Sequence, residues 1–248
     1  MFDSPFFARF PQHPSSFVDD DGERREYQFP SFYAGSRAMM LIYACSFEKA
    51  RAALPEKRLL PVPAGFGKAA AMVAAFEFNH PQGLDPYLEV MFGIPALVRR
   101  PARLPAFGIF VKRLIVNRPE NVQRGRHLWG MDKRLGELEF FDQGDFRVCE
   151  VHRYGRRALR LEVPRTGKGR QVDETRWLVT EKDGHLLLSQ SALSGRKIER
   201  RGEGSLIAGP DPFAVEIESL ALSRRPLFCR YFPALEQAMS LPAESIPL

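Results

Sequence analysis

The segment RWLVTEKDGHLLLS, residues 176–189, is the strongest indication of fold class in this chain. Two short β-prone runs, Arg176–Thr180 and His185–Ser189, lie on either side of Asp183-Gly184. Asp-Gly between such runs favours a two-residue hairpin turn, because both central residues of that turn need positive φ. The segment therefore predicts two antiparallel strands joined by a tight turn.

Much of the remaining sequence has the same β character. Phe146–His152 and Arg157–Val163 predict a second hairpin around Gly155. Single apolar or alternating runs predict further strands at Ala38–Ala44, Ala70–Phe78, Tyr87–Ile94, Phe107–Val116 and Leu138–Phe141. Many short strands with hairpin turns predict an α+β protein built mainly on one antiparallel sheet that is closed, or nearly closed, on itself.

Few helices are predicted. Ser46 can cap a helix that ends before Pro55, and Arg230–Met239 is predicted as a closing helix. Asn117–Gly136 is predicted as a loop that includes a single helical turn. Residues 1–28 are polar and broken by prolines, which predicts an N-terminal arm, whereas residues 29–248 are predicted to form one domain.

The composition is that of an ordinary globular protein, with 44% hydrophobic and 27% charged residues among 248. The apolar runs are far shorter than the roughly 20 residues that a membrane helix needs. The N-terminus has no basic region followed by an apolar one, so no secretory signal is predicted. Three unpaired, widely spaced cysteines favour reduced thiols. Together these features predict a cytoplasmic protein with no membrane association.

The net charge of +6 raises the question of nucleic-acid binding. The basic clusters, however, are scattered and interleaved with Asp and Glu, and no recognition-helix, zinc-finger or RNP-like pattern accompanies them. A solvated basic surface, which would also attract an acidic substrate, is the preferred interpretation. The five histidines lack metal-ligand spacing, so no metal site is predicted.

One lysine has unusual neighbours, in the segment GRHLWGMDKRLG, Gly125–Gly136. Lys133 lies directly before Arg134 in a stretch that is otherwise rich in apolar residues. A lysine amine must be neutral to attack a ketone, and burial or a nearby fixed cation favours the neutral form. The segment is compatible with a Schiff-base lysine, although most lysines lie on the surface.

This segment resembles the active-site segment of the acetoacetate decarboxylase family. There, a Gly-Arg-Glu-Leu run leads into a Lys-Lys pair, and the first lysine forms the Schiff base. The matching residues are Gly125, Arg126, Leu128, Lys133, Leu135 and Gly136. His127 replaces the glutamate, Met131 stands where the family often has an aromatic residue, and Arg134 replaces the second lysine.

Two other segments resemble the family in the same order. PYLEVMFGIPA, Pro86–Ala96, resembles the strand with an active-site glutamate, which corresponds to Glu89. GSRAMMLIYACSFEKARAALPE, Gly35–Glu56, resembles an early strand and helix in which Arg37 takes the place of an active-site arginine. Gly209-Pro210 and a late apolar strand, Ala214–Leu222, also fit the family, so the resemblance covers most of the chain.

The resemblance implies a cone-like, closed antiparallel β-barrel with a few peripheral helices and an interior cavity that holds the lysine. It also implies a homo-oligomer that needs neither a metal nor an organic cofactor. The implied activity is decarboxylation of a β-keto acid, such as acetoacetate, through an imine on Lys133. In that scheme Arg134 favours the neutral amine and Glu89 orients groups or moves a proton.

The resemblance further implies that Arg37 binds the substrate carboxylate, with Met131 and His127 at the substrate site. Two alternatives remain open. The departures at His127, Met131 and Arg134 are compatible with an aldolase-dehydratase that acts on pyruvate-like α-keto acids through the same imine. A non-catalytic protein of the same fold would instead bind an organic acid without turnover.

Overall fold

The computed structural model describes residues 1–55, 58–100, 103–104 and 106–248. Its helices are α1 (Phe47–Ala53), α2 (Pro119–Trp129) and α3 (Pro212–Ser219), with a short 3-10 helix at Phe7–Arg9. Its strands are β1 (His13–Val18), β2 (Arg24–Phe29), β3 (Ser31–Ser46), β4 (Leu59–Pro61), β5 (Lys68–Phe78), β6 (His80–Pro81), β7 (Tyr87–Val98), β8 (Ala106–Val116), β9 (Lys133–Leu135), β10 (Glu137–Gln143), β11 (Phe146–Arg153), β12 (Arg156–Pro164), β13 (Gly169–Lys182), β14 (His185–Arg200), β15 (Ser205–Ala208) and β16 (Phe228–Pro247).

Seven strands form a closed ring of backbone pairing. The order is β7-β5-β3-β16-β14-β13-β8, and β8 pairs again with β7. Every pairing in the ring is antiparallel except that of β8 with β13. A second sheet, β10-β11-β12-β15, is antiparallel throughout. The predicted α+β class with a mainly antiparallel sheet is therefore confirmed.

Both predicted hairpins are present, and the turn residues explain why. Asp183 and Gly184 have φ values of 51° and 73°, and Lys182 pairs directly with His185. Tyr154 and Gly155 repeat this geometry with φ values of 52° and 70°. Two successive residues at positive φ match the right-handed twist of the flanking strands, which is why Asp-Gly is favoured there.

Strands of the ring are buried on both faces. Along β5, Met72 and Phe76 belong to the core inside the ring, while Val73 and Ala75 pack in the core between the ring and the second sheet. The other single strands predicted between Ala38 and Phe141 are also present. The predicted cap of α1 is present too, because Ser46 accepts a hydrogen bond from the Lys49 amide. The inner faces of these strands therefore enclose an interior space that is lined mainly by apolar side chains.

Three predicted elements are wrong. Asn117–Gly136 contains the eleven-residue helix α2, not a loop with one turn. Ala214–Leu222 is not a strand, because α3 occupies it with Asp211 as its N-cap and Pro212 at its start. Arg230–Met239 is not a helix but part of β16, which pairs with β3 and β14 on its two sides. Pairing on both edges outweighs the helix propensity of its Ala, Leu, Glu and Gln residues.

The N-terminal 28 residues pack on the rest of the chain. β1 and β2 form a hairpin, called here the N-terminal hairpin, that lies against α2. The ring of Phe17 on this hairpin stacks on His127 of α2 at a centroid distance of 5.2 Å. Ahead of it, Phe6 and Phe7 are buried in a small cluster with Phe32. No helix in the described part of the chain has the length and apolar character needed to cross a membrane.

Candidate active site

A cavity occupies the interior of the ring, with α2 forming part of its wall. The centres of water-sized molecules can occupy about 50 Å³ of this space, enough for a few waters or a small organic acid. Five of the seven methionines in the chain line it, namely Met40, Met72, Met91, Met131 and Met239. Methionine side chains are apolar and adapt to irregular shapes, so the wall suits the apolar part of a small ligand.

Lys133 and Glu89 meet inside this cavity. The Lys133 Nζ donates a hydrogen bond to Glu89 Oε2 at 2.6 Å, and the two side chains are 8% and 9% exposed. The parallel pairing of β9 with β8 places Lys133 beside Leu114, and the pairing of β8 with β7 places Glu89 beside Val116. Backbone pairing of the neighbouring strands β7, β8 and β9 thus brings together two groups that are 44 residues apart in sequence.

Gly125 and Arg126 explain why Lys133 reaches the cavity. A Cβ added at Gly125 would lie 2.5 Å from Lys133 Cε, so with a larger residue at this position the lysine chain must shift to pass α2. Arg126 donates from Nη2 and Nε to the Lys133 carbonyl oxygen at 2.9 and 3.2 Å, which holds the backbone of the lysine in place. Gly130 ends α2 with a φ of 64°, the left-handed conformation common after helices.

The Gly125→Ala variant is expected to retain the fold and lose most of its reactivity at Lys133. The added methyl forces the lysine chain to shift, which moves its amine away from Glu89. A misplacement of about 1 Å at a reacting group costs about 100-fold in rate. Overpacking costs about 1–3 kcal/mol, partly offset by the roughly 1 kcal/mol by which Ala exceeds Gly in helix propensity. Urea unfolding and borohydride trapping of Lys133 would measure both effects.

The exposed residue Glu120, on the same helix, provides the matched control. Glu120→Ala should leave trapping at the wild-type level, since its side chain does not line the cavity. Equal trapping in Gly125→Ala and wild type would mean that the close packing of Gly125 against Lys133 does not position the lysine.

Two further cavity residues come from α2 and were missed by the sequence-based analysis. Asn121 and Arg124 are 2% and 3% exposed and line the cavity with Gly125. Arg124 donates to Ser31 Oγ at 2.5 Å and to the Tyr33 hydroxyl at 3.3 Å. Residues three and four apart share one helix face. A predicted helix from Pro119 would therefore have placed both side chains on one face, but the segment was predicted as a loop.

Tyr87 also lines the cavity, together with Lys133 and Glu89. The Lys133 Nζ is 6.0 Å from the centroid of its ring. Burial raises the pKa of the Tyr87 phenol well above its ordinary value. The nearby Tyr33 hydroxyl and Glu89 carboxylate add to this rise, whereas Arg124 opposes it. Tyr87 therefore remains a neutral phenol, able to donate a hydrogen bond inside the cavity.

On another part of the wall, Gln237 donates from Nε2 to Ser191 Oγ at 2.9 Å, and its buried Oε1 finds no partner in the described part of the chain. Arg176 also lines the cavity, with Nη2 donating to Glu174 Oε2 at 2.8 Å. Burial lowers the pKa of Arg176 despite this partner. The cavity wall thus has two arginines: Arg176 on this side, which has a carboxylate partner, and Arg124 on α2.

Among the six residues predicted for the site, the structure brings Lys133, Glu89 and Met131 together at the cavity. Arg134 follows Lys133 on β9 and points away, because successive residues of a strand face opposite sides. Its side chain is 42% exposed and pairs with Asp132 at 3.2 Å. The hydrogen bond to Asp132 raises the pKa of Arg134. The geometry therefore gives Arg134 no contact with the cavity.

Arg37 and His127 also lie outside the cavity. The Arg37 side chain is 48% exposed, with Nη1 3.9 Å from Glu77 Oε2. The His127 Nε2 is 2.8 Å from Asp20 Oδ1 of the loop between β1 and β2. His127 contributes to the packing of the N-terminal hairpin on α2, and neither residue is placed to touch a ligand beside Lys133.

A family model described as acetoacetate decarboxylase (ADC) matches residues 13–193. The fold is similar to that of an acetoacetate decarboxylase from Legionella pneumophila, with a TM-score of 0.66 and 15% identity over 88% of this chain and 87% of that chain. Another acetoacetate decarboxylase structure gives 0.68 and 14%, covering 100% of this chain and 95% of that chain.

The enduracididine biosynthesis enzyme MppR, solved in complex with pyruvate, is also similar in fold. It gives a TM-score of 0.61 and 17% identity over 95% of this chain and 98% of that chain. At such low identities these structures support the fold alone. No curated protein matches this chain significantly in sequence.

Proposed function

Because this chain belongs to the acetoacetate decarboxylase family, we propose that it decarboxylates a small β-keto acid through an imine on Lys133. The observation that carries the proposal is the Lys133–Glu89 pair, 2.6 Å apart and buried in an apolar cavity. An amine that attacks a ketone needs a neighbouring base to take its proton and an acid to return one. Glu89 is placed to serve as both.

The reaction follows from these two side chains. Glu89 takes a proton from the Lys133 ammonium, and the free amine attacks the ketone carbon. Glu89 returns the proton to the departing oxygen, and loss of water gives a protonated imine on Lys133. The carbon–carbon bond to the carboxylate then breaks, its electron pair moves into the imine to give an enamine, and CO₂ leaves.

Glu89, protonated again from solvent, gives a proton to the enamine carbon. Water then hydrolyses the imine, releasing the ketone and restoring the lysine, so the net change is one proton consumed and one CO₂ formed. The methionine-lined wall supports the breaking step, because an apolar surrounding favours the loss of a localised carboxylate charge.

Borohydride trapping tests the proposal. The protein is incubated with acetoacetate or with pyruvate and reduced, and any adduct is located by peptide mass spectrometry. We expect an adduct confined to Lys133, together with CO₂ release from acetoacetate above the spontaneous rate. A folded protein that gives no adduct with either acid would contradict imine chemistry with these acids and favour an organic-acid-binding protein.

Arg124 favours a second candidate, an aldolase-type reaction on a pyruvate-like α-keto acid. In that reaction the substrate keeps its carboxylate, so a fixed guanidinium can bind it throughout. In decarboxylation the same contact stabilises the reactant and is lost as CO₂ leaves. Incubation with pyruvate and an aldehyde distinguishes the two, since a condensed product without CO₂ would identify the second reaction.

A further inference from the structure

Arg124 differs from the buried Arg147 and Arg153 in having no acidic partner among the described residues. The buried guanidinium of Arg147 faces Glu77 at 2.5 Å, and that of Arg153 faces Asp211 at 3.1 Å. Among the described residues, no carboxylate lies within ion-pair distance of Arg124, and its hydrogen-bond partners are neutral hydroxyls. An arginine remains charged in proteins, and a buried charge without a counter-charge is costly.

Aromatic rings surround this guanidinium without neutralising it. Its carbon lies 4.6 Å from the ring centroid of Tyr27, 5.2 Å from that of Trp129 and 5.7 Å from that of Phe29. Tyr27 and Phe29 belong to the N-terminal hairpin and do not line the cavity, so this hairpin covers part of the Arg124 side chain. The rings stabilise and orient the cation, which leaves its charge available to an anion.

Free hydrogen-bond donors point to where that anion would lie. Arg124 Nε and Asn121 Nδ2 are both buried and have no hydrogen-bond partner among the described residues. They are three residues apart on α2, hence on one helix face, and both residues line the cavity that contains Lys133. A buried donor without an acceptor costs stability, and a carboxylate supplies acceptor oxygens for both.

We propose that Arg124 and Asn121 form the subsite that binds the carboxylate of the keto acid. The inference rests on the proposed function, because it assigns the acid group of a substrate whose carbonyl reacts with Lys133. The other arginine of the cavity wall, Arg176, already has Glu174 as a partner. The substrate class is therefore a keto monoacid, with an apolar remainder against the methionines, and not a keto diacid.

Binding of butyrate, a monocarboxylate without a ketone, tests the subsite independently of any imine. Calorimetric titration with butyrate is compared between wild type and the variants Arg124→Gln and Arg118→Gln, with butyramide as the uncharged ligand. Arg118 is exposed at the start of α2 and provides the charge-matched control. Arg124→Gln is expected to raise the Kd for butyrate at least about tenfold, while Arg118→Gln leaves it unchanged.

Butyramide should bind weakly to wild type and lose little in Arg124→Gln. A neutral ketone, acetone, should still be trapped on Lys133 by borohydride in Arg124→Gln, which would show that the substitution affects carboxylate binding and not the lysine. If wild type binds butyrate through Arg124 but no keto acid is trapped, the subsite stands and the proposed function fails.

Two outcomes would overturn the subsite: wild-type butyrate affinity in Arg124→Gln, or a loss of affinity in Arg176→Gln alone. If Arg124→Gln does not fold, Asn121→Leu takes its place, since it removes the amide donor and keeps the branched shape of the side chain. We then expect the Kd for butyrate to rise about three- to tenfold, and an unchanged Kd would count against the proposal.

Discussion

The Lys133→Met variant is expected to lose about four to six orders of magnitude in kcat/KM for acetoacetate, measured as CO₂ release above the spontaneous rate. Methionine matches the length and apolar stem of lysine, but it has no amine to form the imine that accepts the electrons of the breaking bond. Losses of this size are found when a nucleophile is removed and only the surrounding site remains. Retention of even a tenth of the wild-type activity would contradict the imine mechanism.

Two variants separate this chemical effect from a folding defect. Lys133→Met leaves the Glu89 carboxylate buried without its partner, which itself destabilises the protein. The double variant Lys133→Met/Glu89→Gln removes that uncompensated charge, so it should fold more stably than the single variant and remain inactive. Lys112 on β8, paired with Glu216 at 3.6 Å, gives the control Lys112→Met, expected to keep activity within about twofold.

The Glu77→Ala variant is expected to lower the free energy of unfolding by about 3 kcal/mol. Glu77 on β5 accepts two hydrogen bonds from Arg147 on β11, at 2.5 and 3.0 Å, and so joins the ring to the second sheet. Burial opposes the charge of Arg147, but its hydrogen bonds to Glu77 and Asp142 outweigh this and raise its pKa. Without Glu77, the remaining carboxylate partner of Arg147 among the described residues is the half-exposed Asp142. Urea unfolding followed by circular dichroism measures the change.

Arg37 provides the matched control for this prediction. It lies 3.9 Å from the same Glu77 carboxylate, but its side chain is about half exposed. Exposed ion pairs contribute about 0–1 kcal/mol, so Arg37→Gln should shift the unfolding midpoint only slightly. A larger loss of stability in Arg37→Gln than in Glu77→Ala would mean that the solvent-side pair, and not the buried one, joins the two sheets.

Local signals predicted most of the strands of this fold, and the errors have identifiable causes. The two hairpins were predictable because positive φ at two successive residues is a local property of the turn. In α3, the capping signal of Asp211 and Pro212 was present in the sequence but was outweighed by the apolar run that follows. For Arg230–Met239, local propensity favours helix, and only pairing with β3 and β14 makes the segment a strand.

Some residues of the candidate site could likewise be predicted from the sequence, and others could not. Lys133 and Glu89 were predicted through family resemblance, and the structure places them 2.6 Å apart. Arg134 is a sequence neighbour of the lysine, but strand alternation directs it to the opposite face, where it pairs with Asp132. Arg124 was not predicted, because its significance lies in the absence of an acidic partner among the described residues, which is a property of three-dimensional surroundings.

By itself, the sequence determined the turns, most of the strands, the α1 cap and the motif around Lys133, since each depends on residues within a few positions of one another. Only the tertiary structure decided which charges are buried and which are paired. Closure of the ring by β7 and β8 brings Glu89 to Lys133, and α2 brings Arg124 and Asn121 to the same cavity. Electrostatic effects depend on distance and burial, and neither can be obtained from the order of residues along the chain.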